Sequence, residues 1–265
     1  MLDPPFQRDG GPRRIELPED DPFAMHAICA AIHSRDEKLP ETLTPKQLLA
    51  IAYAAQKYDL IFRLRCIFDN FISLAMSGSP LSLPIEDAWD IMVAAYILQN
   101  AKWFYQATAN IVLRYNCSFL RLGLPCGDLM PADIIYTLEE KRNHIRLELI
   151  ALLYREAAGG RPNDCRCGWN AQRCLAWMRK LEYSQLSPNY IAERDLSWTF
   201  SIVENISDPV VVEDKSCSSS RWHVKPSWRT RLLAPLKELK VSAGILLESF
   251  RSNRDGEWRL TRRRG

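Results

Sequence analysis

The chain has 265 residues, 47% hydrophobic and 25% charged, which is an ordinary composition for a packed globular protein. Its net charge of +3 at pH 7 is too small to favour nucleic-acid binding on charge alone. No apolar run approaches the ~18–20 residues that a helix needs to cross a bilayer, so a membrane is not an expected partner.

The charge is unevenly distributed along the chain. Residues 218–265 hold 12 Lys and Arg against 4 Asp and Glu, a net +8, so residues 1–217 carry −5 to give +3 overall. An acidic body thus precedes a basic C-terminal segment. Residues 1–14 are polar and show no secretory or transit pattern, which predicts an intracellular protein, cytoplasmic or nuclear, with its eight cysteines reduced.

Helical spacing of apolar residues recurs along most of the chain, with short breaks. The predicted helices lie at about 22–34, 44–58 and 60–75, then as an antiparallel pair over 84–115, and then at 131–158, 168–184 and 189–205. In the helix over 168–184, the pattern predicts that Leu175, Met178 and Leu181 are buried.

Two of these helices begin with recognisable caps. Asp20 or Asp21 is predicted to cap the first, with Pro22 in its first turn, where the missing N–H costs nothing. Thr44 and Gln47 form a capping box at the start of the second.

Strand signals are few. Residues 14–17 alternate in polarity and predict a short strand, and residues 209–212 predict an edge strand or simply extended chain. The predicted fold class is therefore all-α, a multi-helix bundle or array with at most one or two short strands.

The motifs between Leu17 and Asp59 resemble the later half of a BTB/POZ domain, in the variant common in fungal proteins. In order, the matching marks are a Leu-Pro-Glu-Asp-Asp-Pro start, the histidine after the first helix, a Pro-x-Thr-x-Thr link and a closing Lys-Tyr-Asp. The likeness is best over 15–76, and the helical pair over 84–115 resembles the extension that often follows such domains.

This resemblance implies a non-enzymatic protein–protein interaction module, adaptor-like, with a cullin-type scaffold among its protein partners. The sheet half that opens a complete domain of the family has no counterpart before Leu17, so homodimerisation is not carried over. A domain without that half is expected to leave the apolar faces of helices 22–34 and 44–58 exposed. The interaction residues we predict are charged positions flanking the matched core, namely Glu19, Asp20, Arg35 and Glu41.

The predicted organisation has four parts. These are a disordered lead over 1–14, a partial BTB/POZ-like helical domain over 15–116, a helical extension over 117–208, and a basic, partly disordered segment over 209–265.

A zinc-stabilised or metal-dependent domain is the first alternative. Cys165, Cys167 and Cys174, with His144, offer the soft and borderline donors that zinc prefers. Their spacing departs from the paired knuckles of structural zinc sites. The simpler interpretation is a loop followed by a helix whose Cys174 faces the core, without a cofactor.

A basic-tailed nuclear or nucleic-acid-associated factor is the second alternative, based on the run from Trp258 to Arg264. A solvated terminus explains the same run, and nucleic acid is not an expected partner. The sequence contains no Gly-rich phosphate loop, nucleophile elbow or paired-histidine zinc motif, so no catalytic residue is predicted and the protein is not expected to be an enzyme.

Overall fold

The computed structural model describes residues 17–35, 39, 41–75, 83–123, 130–158, 168–211, 217, 223 and 227–250. Within these ranges the chain forms α-helices, one 3₁₀ turn and no strand, which confirms the all-α prediction. The helices are α1 (Pro22–Ile32), α2 (Pro45–Lys57), α3 (Ile61–Ala75), α4 (Ile85–Ile97), α5 (Ala101–Arg114), α6 (Leu120–Gly123), α7 (Ala132–Ala158), α8 (Trp169–Tyr183), α9 (Pro188–Glu193), α10 (Leu196–Asn205) and α11 (Trp228–Val241), and the 3₁₀ turn spans Leu247–Phe250.

Helix α4 lies at the centre of the fold. Eight of its 13 residues are buried, and they are distributed around most of its circumference. A helix that is apolar all round has to be covered by more than one neighbour. Both α2 and α5 pack against it, and α5 returns beside it after a turn at residues 98–100 in which Gln99 has a φ of +55°.

Helices α1 and α2 are packed, so the predicted exposure of their apolar faces is wrong. Ala24 and Ile28 of α1 and Leu48 and Ile51 of α2 are at most 1% exposed. The two helices cover each other, and α2 also packs on α4. Other helices of this chain therefore cover the apolar surface that the resemblance would leave bare.

Side-chain caps mark where the first two helices begin. Asp21 Oδ1 accepts the Ala24 N–H at 2.8 Å, which selects Asp21 over Asp20 as the cap. Thr44 Oγ1 accepts the Gln47 N–H at 3.2 Å, and Gln47 Oε1 accepts the Thr44 N–H at 2.9 Å. The predicted capping box is therefore confirmed.

The predicted single helix over 189–205 is wrong, because the chain breaks between α9 and α10. Arg194 is extended, and the Asp195 carboxylate accepts the Trp198 N–H at 2.7 Å. A new cap inside a continuous apolar pattern starts a second helix. Residues 209–211 of the predicted edge strand or extended chain form neither helix nor strand, and residue 212 lies outside the described residues. Residues 14–16 of the other predicted strand lie outside the described residues.

The C-terminal helices pack around α7, which contacts α5, α8 and α11. The Trp177 indole N–H donates to the Leu153 carbonyl at 2.9 Å, and its ring stacks on that of Trp228 with centroids 4.5 Å apart. No helix was predicted at α11, since the sequence analysis identified only a basic, partly disordered segment there. One apolar core nevertheless extends from Ala24 to Phe250.

Helix α8 turns a different face to the core from the one predicted. Leu181 is buried as expected, but Leu175 is 50% and Met178 37% exposed. The buried positions follow a four-residue spacing, Trp169, Arg173, Trp177 and Leu181. Apolar residues lie on two faces of this helix, and the two tryptophans are on the covered one.

None of the helices in the described ranges has the length and apolar character needed to cross a membrane.

Two truncations on α8 test this orientation. We expect Leu181→Ala to lower the free energy of unfolding by about 2–5 kcal/mol, because it leaves a cavity in the core. Leu175→Ala removes the same atoms from a half-exposed position, and we expect a change within about 0.5 kcal/mol. Denaturant titration measures both, and equal losses for the two variants would contradict the orientation.

Candidate protein-interaction surface

The acidic turn before α1 is joined to the end of α2 through Asp20. Its carboxylate accepts Lys57 Nζ at 2.8 Å and the Tyr58 hydroxyl at 2.5 Å. Only 5% of the Asp20 side chain is exposed, against 47% of the Lys57 side chain. These contacts, named here the Asp20 clamp, join the first and last motifs of the segment that resembles a BTB/POZ domain.

The Asp20 clamp shifts the titration of all three of its groups. The hydrogen bond from Lys57, followed by that from Tyr58, holds the pKa of the Asp20 carboxyl below its ordinary value, against a smaller opposing effect of desolvation. The hydrogen bond to Asp20 is in turn the main reason why the pKa values of Lys57 and Tyr58 are raised. Near neutral pH, Asp20 is therefore ionised, Lys57 is protonated, and Tyr58 is neutral and donates its hydroxyl to Asp20.

Exposed apolar side chains adjoin the clamp along the chain. Leu17 is 48% exposed, Tyr58 37% and Phe62, in the first turn of α3, 88%. Glu19 extends into solvent with its carboxylate 3.8 Å from Lys57 Nζ. We call these five residues, Leu17, Glu19, Lys57, Tyr58 and Phe62, the clamp surface. Single exposed apolar residues are ordinary, whereas several in one neighbourhood are typical of contact surfaces.

The structure separates the four predicted interaction residues. Glu19 is on the clamp surface, but the carboxylate of Asp20 is engaged in contacts within the chain. Arg35 and Glu41 are both exposed. Arg35 follows the far end of α1, and the 11 residues of that helix rise roughly 16 Å, so Arg35 lies well away from the clamp.

Phe62 was not identified from the sequence, although a signal was present. In the predicted helix over 60–75, apolar residues recur at helical spacing on one face, and Phe62 falls beside that stripe, which consists of Ile61, Leu64, Phe68, Phe71 and Ile72. A large aromatic residue outside the apolar stripe of an amphipathic helix indicates an exposed side chain.

The proposed zinc ligands are not brought together in the part of the chain that can be assessed. His144 is exposed on α7, and Cys174 is half-buried on α8, where it packs against the core. Cys165 and Cys167 lie outside the described residues. Among the described residues, no group of three or more His, Cys, Asp or Glu could hold a metal ion. The zinc alternative stays a prediction.

A second charged cluster, around Arg142, has a structural role. This buried guanidinium donates to the carbonyls of Tyr115 and Cys117 at 2.9 and 2.6 Å, where α5 ends. It also pairs with Glu139 and lies over the Phe119 ring. A cation at a helix C-terminus satisfies carbonyls that have no partner in the helix. Arg142 therefore holds the end of α5 on α7.

The chain matches no family model, no curated protein and no solved structure. The likeness to BTB/POZ domains accordingly rests on the motifs between Leu17 and Asp59 and on their order.

Removing one charge tests the Asp20 clamp. We expect Asp20→Asn to lower the melting temperature at pH 7, because the amide loses the ion pair with Lys57. Asp21→Asn is the matched control, since asparagine also caps helices and should leave the melting temperature nearly unchanged. Equal effects of the two substitutions would contradict the role given to Asp20.

The contribution of the clamp should also depend on pH. A carboxyl whose pKa is lowered by folding stabilises the protein above its ordinary value of 3.8, and this stabilisation is lost as the pH falls through the lowered value. The raised pKa of Tyr58 acts in the opposite sense, and its stabilisation is lost above the ordinary 10.0. In thermal melts, we expect the melting temperature of the wild type to exceed that of Asp20→Asn most between the ordinary pKa values of 3.8 and 10.0, and the difference to shrink as the pH falls below 3.8.

Proposed function

We propose that the protein is a non-enzymatic protein–protein interaction module of BTB/POZ type with an adaptor-like role. The observation that carries the proposal is the Asp20 clamp, which joins the Leu-Pro-Glu-Asp-Asp-Pro start of the resemblance to its Lys-Tyr-Asp end. Residues 37 positions apart thereby meet, and Leu17, Tyr58 and Phe62 are exposed within four residues of the clamp along the chain.

The clamp surface has the chemistry of a protein contact. Aromatic side chains contribute large buried areas at interfaces, and a few of them usually account for most of the binding energy. Phe62 offers a nearly fully exposed ring, and Leu17 and Tyr58 add partly exposed apolar area. Lys57 and Glu19 supply charges at the edge, where they steer association more than they strengthen it.

The clamp also preorganises the side chains of this surface for binding. Because Asp20 holds Lys57 and Tyr58, less side-chain entropy is lost when a partner binds. The partner that fits is a protein with an apolar pocket for the Phe62 ring and charges opposite to those of Glu19 and Lys57. A cullin-type scaffold is the partner class that the resemblance implies. Self-association is not part of the proposal.

A comparison of two exposed aromatic residues tests the proposal. We expect Phe62→Ser to reduce recovery of specific protein partners at least tenfold in affinity purification from the native host, as for a residue that dominates an interface. Tyr183→Ser is the matched control, since Tyr183 is 87% exposed on α8 and lies outside the clamp surface. Quantitative mass spectrometry of the captured proteins gives the ratio and shows whether a cullin is among them. Recovery of no specific partner, or equal recovery with both variants, would refute the proposal.

A further inference from the structure

A groove of about 360 Å³ lies between α7 and α11. Apolar side chains and polar ones both line it, and α11 carries an internal proline, Pro235, where it faces the groove. The apolar lining residues are Ala151, Leu152, Pro235 and Leu239, and the polar ones are His144, Glu148, Arg155, Glu238 and Ser242.

Two acidic residues, Glu148 and Glu238, line the groove together with one arginine, Arg155. Glu148 on α7 and Glu238 on α11 are both exposed. Neither forms an ion pair within the described part of the chain. The nearby Lys240 is already paired with Glu204 at 2.9 Å. With two acids against one arginine, the lining has a net negative charge beside apolar surface, which suits a segment that is both basic and apolar.

A series of contacts connects the last described residue to the groove. Phe250, the last described residue, packs on Phe104 with ring centroids 6.1 Å apart. The next residue of α5, Tyr105, donates its hydroxyl to the Val241 carbonyl at 2.5 Å. Val241 is followed by Ser242, which lines the groove. Phe250 is thus connected to the groove through the contacts of Phe104, Tyr105 and Val241.

The composition of residues 251–265 matches this surface. Six arginines against Asp255 and Glu257 give a net charge of +4, and Trp258 and Leu260 are apolar. Fifteen residues extend up to about 50 Å. The segment is therefore basic and partly apolar, which complements the acidic and apolar lining of the groove.

We propose that residues 251–265 bind in the α7–α11 groove of their own chain. Arginines of the segment pair with Glu148 and Glu238, and Trp258 and Leu260 contact the apolar lining. Because the segment belongs to the same chain as the groove, its effective concentration there is on the order of millimolar, so a modest intrinsic affinity suffices. This inference is independent of the clamp surface and of the partner proposed for it.

Binding in trans tests the proposal. A variant ending at Phe250 is titrated into a fluorescein-labelled peptide of residues 251–265, with fluorescence anisotropy as the readout. We expect saturable binding that weakens as salt is added. The full-length protein should bind the peptide about tenfold more weakly, because its own segment competes at millimolar effective concentration. Absence of saturable binding to the shortened protein, or equal binding to both proteins, would overturn the proposal.

Charge reversal locates the binding site. In the shortened protein, we expect Glu148→Lys with Glu238→Lys to weaken peptide binding at least tenfold. Glu140→Lys with Glu182→Lys is the control, because these acids are exposed on α7 and α8 but do not line the groove. We expect that variant to stay within about twofold of the parent, since exposed charges at a distance are screened by salt. Circular dichroism confirms that both variants fold, and equal loss in both would overturn the assignment to the groove.

The apolar part of the contact is tested on the peptide. Trp258→Ser with Leu260→Ser keeps every charge, and we expect it to weaken binding at least fivefold. Unchanged affinity of this peptide would mean that charge alone drives the interaction, and would overturn the docking described above.

Discussion

Helix α4 constrains the arrangement of the other helices, because apolar residues occupy most of its circumference. Burying a large apolar side chain contributes about 1.5–3 kcal/mol, so a helix of this kind is stable only when neighbours cover several of its sides. α2 and α5 provide that cover. Each brings further helices with it, since α2 packs on α1 and α3, and α5 packs on α7 and α10. The N-terminal and C-terminal helices thus share one apolar core.

Charged side chains join the ends of these helices. Asp20 holds the end of α2 against the turn before α1, and Arg142 holds the end of α5 on α7. Asp208 accepts the Trp228 and Arg229 N–H groups at 2.9 and 3.1 Å, in the first turn of α11. In each case a charged side chain hydrogen-bonds to a polar group that would otherwise need a water molecule as its partner. Such charges organise the fold, so they are poor candidates for binding a partner.

Two surfaces among the described residues carry the proposals made above. The clamp surface presents exposed apolar side chains, above all Phe62, close along the chain to charges that are already held in position. The groove presents a different combination, with Glu148, Glu238 and Arg155 beside an apolar lining. The first is the surface that we propose for a separate protein partner. The second fits the basic end of the same chain, in agreement with the division of the sequence into an acidic body and a basic C-terminal segment.

The sequence by itself determined the helical class, the approximate position of most helices and the caps of α1 and α2. These features depend on residues three or four positions apart, so their spacing is visible in the chain. Only the tertiary structure decided which face of α8 is covered, that the chain breaks between α9 and α10, and that α11 packs on α7. It also decided the candidate site. Asp20 was predicted as an interaction residue, but its carboxylate accepts a hydrogen bond from Tyr58, 38 positions further along the chain. Phe62, which was not predicted, is exposed. Contacts between distant segments form only when the helices pack together, because burial and hydrogen bonding are then shared among elements that no local pattern connects.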